Sequence, residues 1–403
     1  MRIKGITRNV VVLGVVSFFT DVASEMLYPV MPLFLIGTIG ASPALLGVID
    51  GIAEGGSSVL RWLAGALSDR YRRRKPWVVW GYTISAFSKP VMGLAAIVGG
   101  WPLFLVGRST DRLGKSIRTS SRDALIADST EPEYRGVAFG LHRAMDTCGA
   151  VLGPLIALSI VLLWRGVPLQ WLFFVALIPG LLSAGLATVA IKDIPHEAHP
   201  EATPPPILQS FPAPLWHLII AATVFSIGNS SDSFLILRSK ELGLTFPQVI
   251  LAFAVYNVVY AIAATPLGKL SDRAGRKPIV IAGWTVYALV YFGFSIAHST
   301  TAPWLLLAAY GLYQALSEGV TKALITDVVP KAQRAGAIGL FYTATGLGQL
   351  IASVAAGALW GVRWFHGTVM ASFILGSVCA AIAIPIVAGV RVGVPPKLAE
   401  AQD

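Results

Sequence analysis

Charge is scarce in this sequence: 13% of its 403 residues are Asp, Glu, Lys or Arg, while 55% are hydrophobic. Soluble domains carry about 25% charged residues, so a water-soluble enzyme is excluded. Cysteine is scarcer still. Cys148 and Cys379 both lie in apolar runs, where a thiol behaves as a small hydrophobe, which argues against a disulfide framework or a zinc cluster. Long polar stretches are also few. About twelve apolar segments of roughly 20 residues, the length that crosses a bilayer core, take up most of the chain and leave no room for a soluble catalytic domain. The loops contain no phosphate-binding or dinucleotide fingerprint, so ATP-driven transport has no support, and His196 with His199 lacks zinc-protease spacing and sits among prolines.

What is present is a mean hydropathy of +0.69 and a formal charge of +10. The basic residues fall in loops between apolar runs, which points to membrane orientation and away from nucleic acid. The N-terminal run continues to about Ile36 and contains Asp21 and Glu25, unlike a cleaved signal peptide. Helices are predicted at 9–36, 44–68, 77–98, 102–127, 136–164, 168–191, 214–238, 246–268, 278–298, 303–328, 334–359 and 366–391. Alternate loops hold most of the lysines and arginines. The opposite set holds Arg165, Arg238, Lys240 and Arg363, so both termini are expected on the cytoplasmic side of an inner (plasma) membrane.

Residues 192–213 are proline-rich and read as a cytoplasmic linker between an N-terminal bundle, 1–191, and a C-terminal bundle, 214–403. The halves repeat. Ala124–Leu141 and Ala323–Leu340 share Ala-Leu-Ile, Asp, Arg and Gly-Leu at one offset, and Gly65–Pro76 matches Gly268–Pro278 with one extra residue in the first copy. Two matches in the same order indicate a duplicated six-helix unit.

These residues resemble the major facilitator superfamily along essentially the whole chain. Gly65-Ala-Leu-Ser-Asp69-Arg70, with Arg73 following, is similar to the family's loop signature, and Gly268, Asp272, Arg273 and Arg276 belong to its second copy; Arg72 stands where a glycine is usual. The resemblance implies an all-α membrane fold of twelve transmembrane helices in two pseudo-symmetric bundles. It also implies a gating role for both copies, with Asp69 facing the helix start near Arg334 and Asp272 the one near Arg135. Gly140, Gly149, Gly153 and Pro154 resemble the family's antiporter motif, except that Ala157 replaces a final glycine, and Pro29 with Pro32 is a weaker sign of the same kind. Small residues let helices touch, and the proline bends the span.

Ionisable residues at membrane depth are costly and normally face a cavity or one another. They crowd the first half. Asp21 and Glu25 are four apart, as are Asp50 and Glu54, so each pair lies on one helix face; these four are the candidate proton carriers. A basic stripe runs through Arg108, Asp111, Lys115, Arg118 and Arg122 of the fourth span, with Arg112 beside it, joined by His142, Arg143 and Asp146 in the fifth span. The second half offers a polar and aromatic wall: Asn229, Ser230, Ser231, Asp232, Tyr256, Asn257, Tyr260, Tyr310, Tyr313, Gln314, Glu318, Tyr342 and Gln349. The substrate-site candidates are therefore Arg112, Lys115, Arg118, His142, Arg143, Asp146, Asn229, Asp232, Tyr256, Asn257, Gln314 and Glu318. The expected function is proton-coupled efflux of a small molecule by a monomer, with no cofactor beyond the proton gradient. Two alternatives stay open: an anionic metabolite or siderophore held by the basic stripe, and a divalent metal exported past the acidic pairs, His142 and Asp146, as short tracts similar to nickel-resistance exporters suggest.

Overall fold

Proline and glycine decide where the long apolar helices of this chain break. The computed structural model describes residues 6–70, 73–194, 211–330, 333–364 and 369–390, without the side chains of 59, 61–70, 335 and 369. Most of the linker (195–210) and Arg72 therefore fall outside the described residues. Among them lie fourteen α-helices: α1 Arg8–Glu25, α2 Met31–Gly37, α3 Pro43–Arg70, α4 Lys75–Leu94, α5 Gly100–Asp128, α6 Arg135–Leu163, α7 Gln170–Ala190, α8 Ala213–Gly228, α9 Ser233–Glu241, α10 Phe246–Ala274, α11 Arg276–Ile296, α12 Ala302–Asp327, α13 Arg334–Ala358 and α14 Ala371–Ala388. Two of the predicted spans are broken. The first divides into α1 and α2 around Pro29, which cannot donate to the helix ladder. The seventh divides into α8 and α9 at Asn229–Asp232 without a proline. There the carbonyl of Gly228 accepts from the Tyr287 hydroxyl (2.9 Å), and the Ser231 N–H donates to Ser353 Oγ (3.1 Å). Backbone groups released at membrane depth are tolerated where side chains satisfy them beside a cavity. The last predicted span starts late, at Ala371, after Arg363–Trp364 and Val369–Met370 pair as two short antiparallel strands.

Polarity is arranged inside out. Arg108, Lys89 and Asp111 are 2%, 1% and 5% exposed, whereas Leu163 and Val189 are 88% and 85% exposed. Such a surface suits lipid, and such a core needs internal charge pairing. Seven segments among the described residues are long and apolar enough to cross a membrane; the charge-rich α3 and α5 are not among them.

Helices α1 and α3–α7 pack with one another, as do α8 and α10–α14, and the two groups meet along α3 against α13, α6 against α10 and α2 against α9. The repeat is visible in side chains as well: Arg74 pairs with Asp128 (3.2 Å) as Arg276 pairs with Asp327 (2.6 Å). At one end the seam is shut. A Cβ on Gly357 would lie 2.5 Å from the Pro43 carbonyl oxygen, and one on Gly51 would lie 3.1 Å from that of Leu350. At the end near the chain termini the seam is parted: Gly136 and Gly140 share the α6 face of Arg143, yet neither has a neighbouring atom within 4 Å.

Candidate functional site

Between the bundles lies a cavity of about 340 Å³. From the first bundle it is lined by Asp21, Glu25 and Tyr28 of the α1 region, Glu54 of α3, Arg112 and Lys115 of α5, and Arg143, Asp146 and Thr147 of α6. From the second it is lined by Asn229–Asp232 of the α8–α9 break, Phe253, Tyr256, Asn257 and Tyr260 of α10, Tyr310, Gln314 and Glu318 of α12, and Gln349 and Ser353 of α13. Helical spacing accounts for the grouping, since residues three and four apart stand on one face.

Of the candidate residues, Asp50, Arg118 and His142 stand outside this lining, as do Tyr313 and Tyr342 of the expected wall. Asp50 lies behind it, paired with Arg108 Nε at 3.3 Å. Arg118 places its guanidinium 4.8 Å from the centre of the Tyr82 ring and borders a much smaller pocket of about 20 Å³ together with Lys89, Arg108 and Asp111. His142 is buried, with Nδ1 3.5 Å from Asp146. Tyr28, Phe253, Thr147 and Ser353 line the cavity although the charge pattern does not mark them. Their signal is periodicity: Tyr28 is seven residues beyond Asp21, Phe253 three before Tyr256, and Thr147 four beyond Arg143.

The cations of the stripe are largely committed. Arg112 pairs with Glu54 (2.7 Å), Arg108 with Asp50 and Glu54 (3.3 and 3.4 Å), Arg122 with Asp123 (2.8 Å). Arg143 reaches across the seam to Glu318 (2.9 Å) and to the Tyr260 hydroxyl, which itself donates to Glu318 (2.6 Å). By contrast, Asp21, Glu25 and Lys115 line the cavity with no hydrogen bond or ion pair to the described residues. No three His, Cys, Asp or Glu side chains among the described residues group as metal ligands.

The motif glycines support this arrangement from behind. A Cβ on Gly149 would stand 2.6 Å from the Phe18 carbonyl oxygen and 2.9 Å from Cβ of Asp21; one on Gly153 would stand 2.8 Å from the Met26 nitrogen and 3.0 Å from Cβ of Glu25. Their lack of side chains lets α6 touch α1 at the two carboxylates. Gly140 makes no such contact, and Pro154 is buried within α6.

Of the gating residues, Gly65, Asp69 and Arg70 lie in α3 with side chains outside the described residues, and Arg73 is exposed. Gly268 has open space around it and Arg273 is exposed. Asp272 reaches Arg276 of its own loop (3.6 Å) and not the start of α6 near Arg135, because the seam is parted at this end.

Comparison with known proteins follows the same lines. The Major Facilitator Superfamily profile matches residues 13–238 and 218–402. An uncharacterized MFS-type transporter of Methanocaldococcus jannaschii is 35% identical over 378 residues, 91% of this chain and 93% of its own. The inner membrane transport protein YajR of Escherichia coli is 24% identical over 419 residues, 96% of this chain and 86% of its own. Among solved structures, a D-xylose-proton symporter superposes with a TM-score of 0.73 at 16% identity, over 95% of this chain and 97% of its own. A human organic anion transporter does so with a TM-score of 0.68 at 16% identity, over 94% and 99%. Such identities speak for the fold alone. With a profile matched in both halves and a 35% identical relative along nearly the whole length, this chain belongs to the Major Facilitator Superfamily and is a multi-pass membrane transporter, not an enzyme.

Proposed function

We propose that the protein couples proton entry to export of a small molecule, rocking residues 1–191 against 214–403 around the central cavity. In this reading it is a monomer of an inner (plasma) membrane with both termini cytoplasmic, so the parted end opens to the cytoplasm. The observation that carries it is the state of Asp21 and Glu25, which face the cavity without a counter-charge in contact. A carboxylate locked to a guanidinium is a fixed charge. One without such a partner exchanges a proton with whatever water the cavity admits. Among the four carriers expected from the sequence, that contrast favours Asp21 and Glu25, because Asp50 and Glu54 are held by Arg108 and Arg112. Export is favoured by Gly149 and Gly153, whose contact with α1 forms a tight seam behind the two carboxylates. The reading of the stripe as an anion site loses ground because Arg108, Arg112 and Arg143 are already paired, and the metal reading finds no third ligand beside His142 and Asp146 among the described residues.

The test is reconstitution with a pH-sensitive dye inside the vesicle and a panel of antibiotics, amines, organic anions and metal ions outside. A solute that evokes proton movement in the native protein is expected to evoke none in the Asp21→Asn, Glu25→Gln double variant. Undiminished movement in that variant rejects the two residues as carriers.

A further inference from the structure

The sign of the cavity's charge bears on what it carries. Six carboxylates line it against three cations, Arg112, Lys115 and Arg143. Even with Asp21 and Glu25 both protonated, four carboxylates face three cations, so no protonation state of the proposed carriers turns the cavity positive. Besides Asp21 and Glu25, one more lining carboxylate has no cation in contact. Asp232, in the break between α8 and α9, accepts a 2.6 Å hydrogen bond from the Tyr310 hydroxyl and has no Lys, Arg or His within 4 Å among the described residues. The Tyr310 and Tyr256 rings lie 5.5 Å apart beside it, and across the cavity Tyr28 stacks on Phe253 at 5.3 Å. A carboxylate without a counter-ion set among aromatic faces is the chemistry that holds an ammonium group, by charge and by cation–π attraction together.

We infer that the solute is an organic amine carried in its protonated form, with its ammonium at Asp232 against the rings of Tyr256 and Tyr310. The assignment rests on the cavity being the transport site. It places solute and proton on opposite bundles: Asp232 on the second, Asp21 and Glu25 on the first. One ammonium leaving for one proton entering moves no net charge, and competition for negative potential in a shared cavity couples the two.

Three probes with one indole ring separate sign from shape: tryptamine (ammonium), indole-3-acetamide (neutral) and indole-3-acetate (anionic). In thermal unfolding of the purified full chain, tryptamine is expected to stabilise the protein and the other two to have little effect. Asp232→Asn is expected to weaken tryptamine at least tenfold while leaving the ligand-free melting temperature near that of the native protein. Tyr310→Phe, which keeps the ring, is expected to retain the preference for the amine. Stabilisation by indole-3-acetate equal to or above that by tryptamine, stabilisation by none of the three, or undiminished tryptamine affinity in Asp232→Asn would each overturn the inference. Failure of the coupling reading looks different: tryptamine would bind with the same dependence on Asp232 yet evoke no proton movement in vesicles.

Discussion

Asp50 and Ser231 join the two bundles: the Asp50 carboxylate on α3 accepts a 2.7 Å hydrogen bond from the Ser231 hydroxyl in the break between α8 and α9. Its other oxygen holds Arg108, whose guanidinium lies 5.6 Å from the centre of the Tyr28 ring. The latch thus ties the broken helix of the second half to the charged face of the first. It sits where the seam is shut, so its strength bears on how readily the seam reopens.

Arg108→Met leaves Asp50 buried with a single hydroxyl for company, and the expected loss is about 3–5 kcal/mol, as for a buried ion pair broken on one side. Ser231→Ala removes the hydrogen bond to the charged group, worth about 1.5–3 kcal/mol, together with the 3.2 Å bond that the hydroxyl accepts from the Ser233 N–H. The two are separated by thermal or denaturant unfolding in detergent. An Arg108→Met protein as stable as the native one would show that Asp50 does not depend on that guanidinium.

Gly47 faces the backbone of Ser353 and Gly357 so closely that an added methyl overlaps the Ser353 carbonyl oxygen. Gly47→Ala therefore penalises the shut seam and leaves the opposite orientation untouched, which shifts the population toward it. Reversing a hundredfold preference needs about 5.5 kcal/mol, so a partial shift is expected. Spin labels at the facing ends of α2 and α9 report it as a longer distance. An unchanged distance distribution would mean that the helices slide to absorb the methyl.

Gly149→Ala and Gly153→Ala act at the contact between α6 and α1. Each methyl would push against α1 backbone beside Asp21 or Glu25, at an expected cost of about 1–3 kcal/mol in overpacking. The functional outcome is a proton leak in reconstituted vesicles without added solute, measured as faster collapse of an imposed pH gradient. Gly140→Ala, with open space around it, is the control expected to fold and hold the gradient as the native protein does.

How much of this was legible follows from which interactions are local. Asp21 and Glu25 declare their shared face through a spacing of four, and the repeated Ala-Leu-Ile tracts declare two halves before any contact is known. Tyr28 and Phe253 obey the same periodicity but are single rings in apolar surroundings, with no charge to demand an explanation. The break at Asn229–Asp232 was not legible, because it depends on Tyr287 and Ser353 from α11 and α13 satisfying the freed backbone groups. The basic stripe was legible as a stripe only. That Arg118 would turn to Tyr82, and Arg143 cross to Glu318, depends on which helices pack against α5 and α6.

Lys89 and Asp111 form a fully buried pair in the first bundle (3.3 Å), where Asp111 also accepts from Ser85 (2.6 Å) and Lys89 donates to the Ser85 carbonyl (2.9 Å). Taking two charges out of water is costly, and their attraction offsets the cost only while both are present. Lys89→Met and Asp111→Leu alone each strand the other charge, at an expected cost of about 3–5 kcal/mol. The double variant strands neither member of the pair and should lose less than the two singles together, a coupling of about 0.5–3 kcal/mol in a double-mutant cycle. Neither residue lines the larger cavity, so solute-evoked proton movement should return in the double variant together with stability. Additive losses would show two independent residues; recovered stability without transport would place the pair in the proton path, since the small pocket they border also touches Asp21 and Glu25.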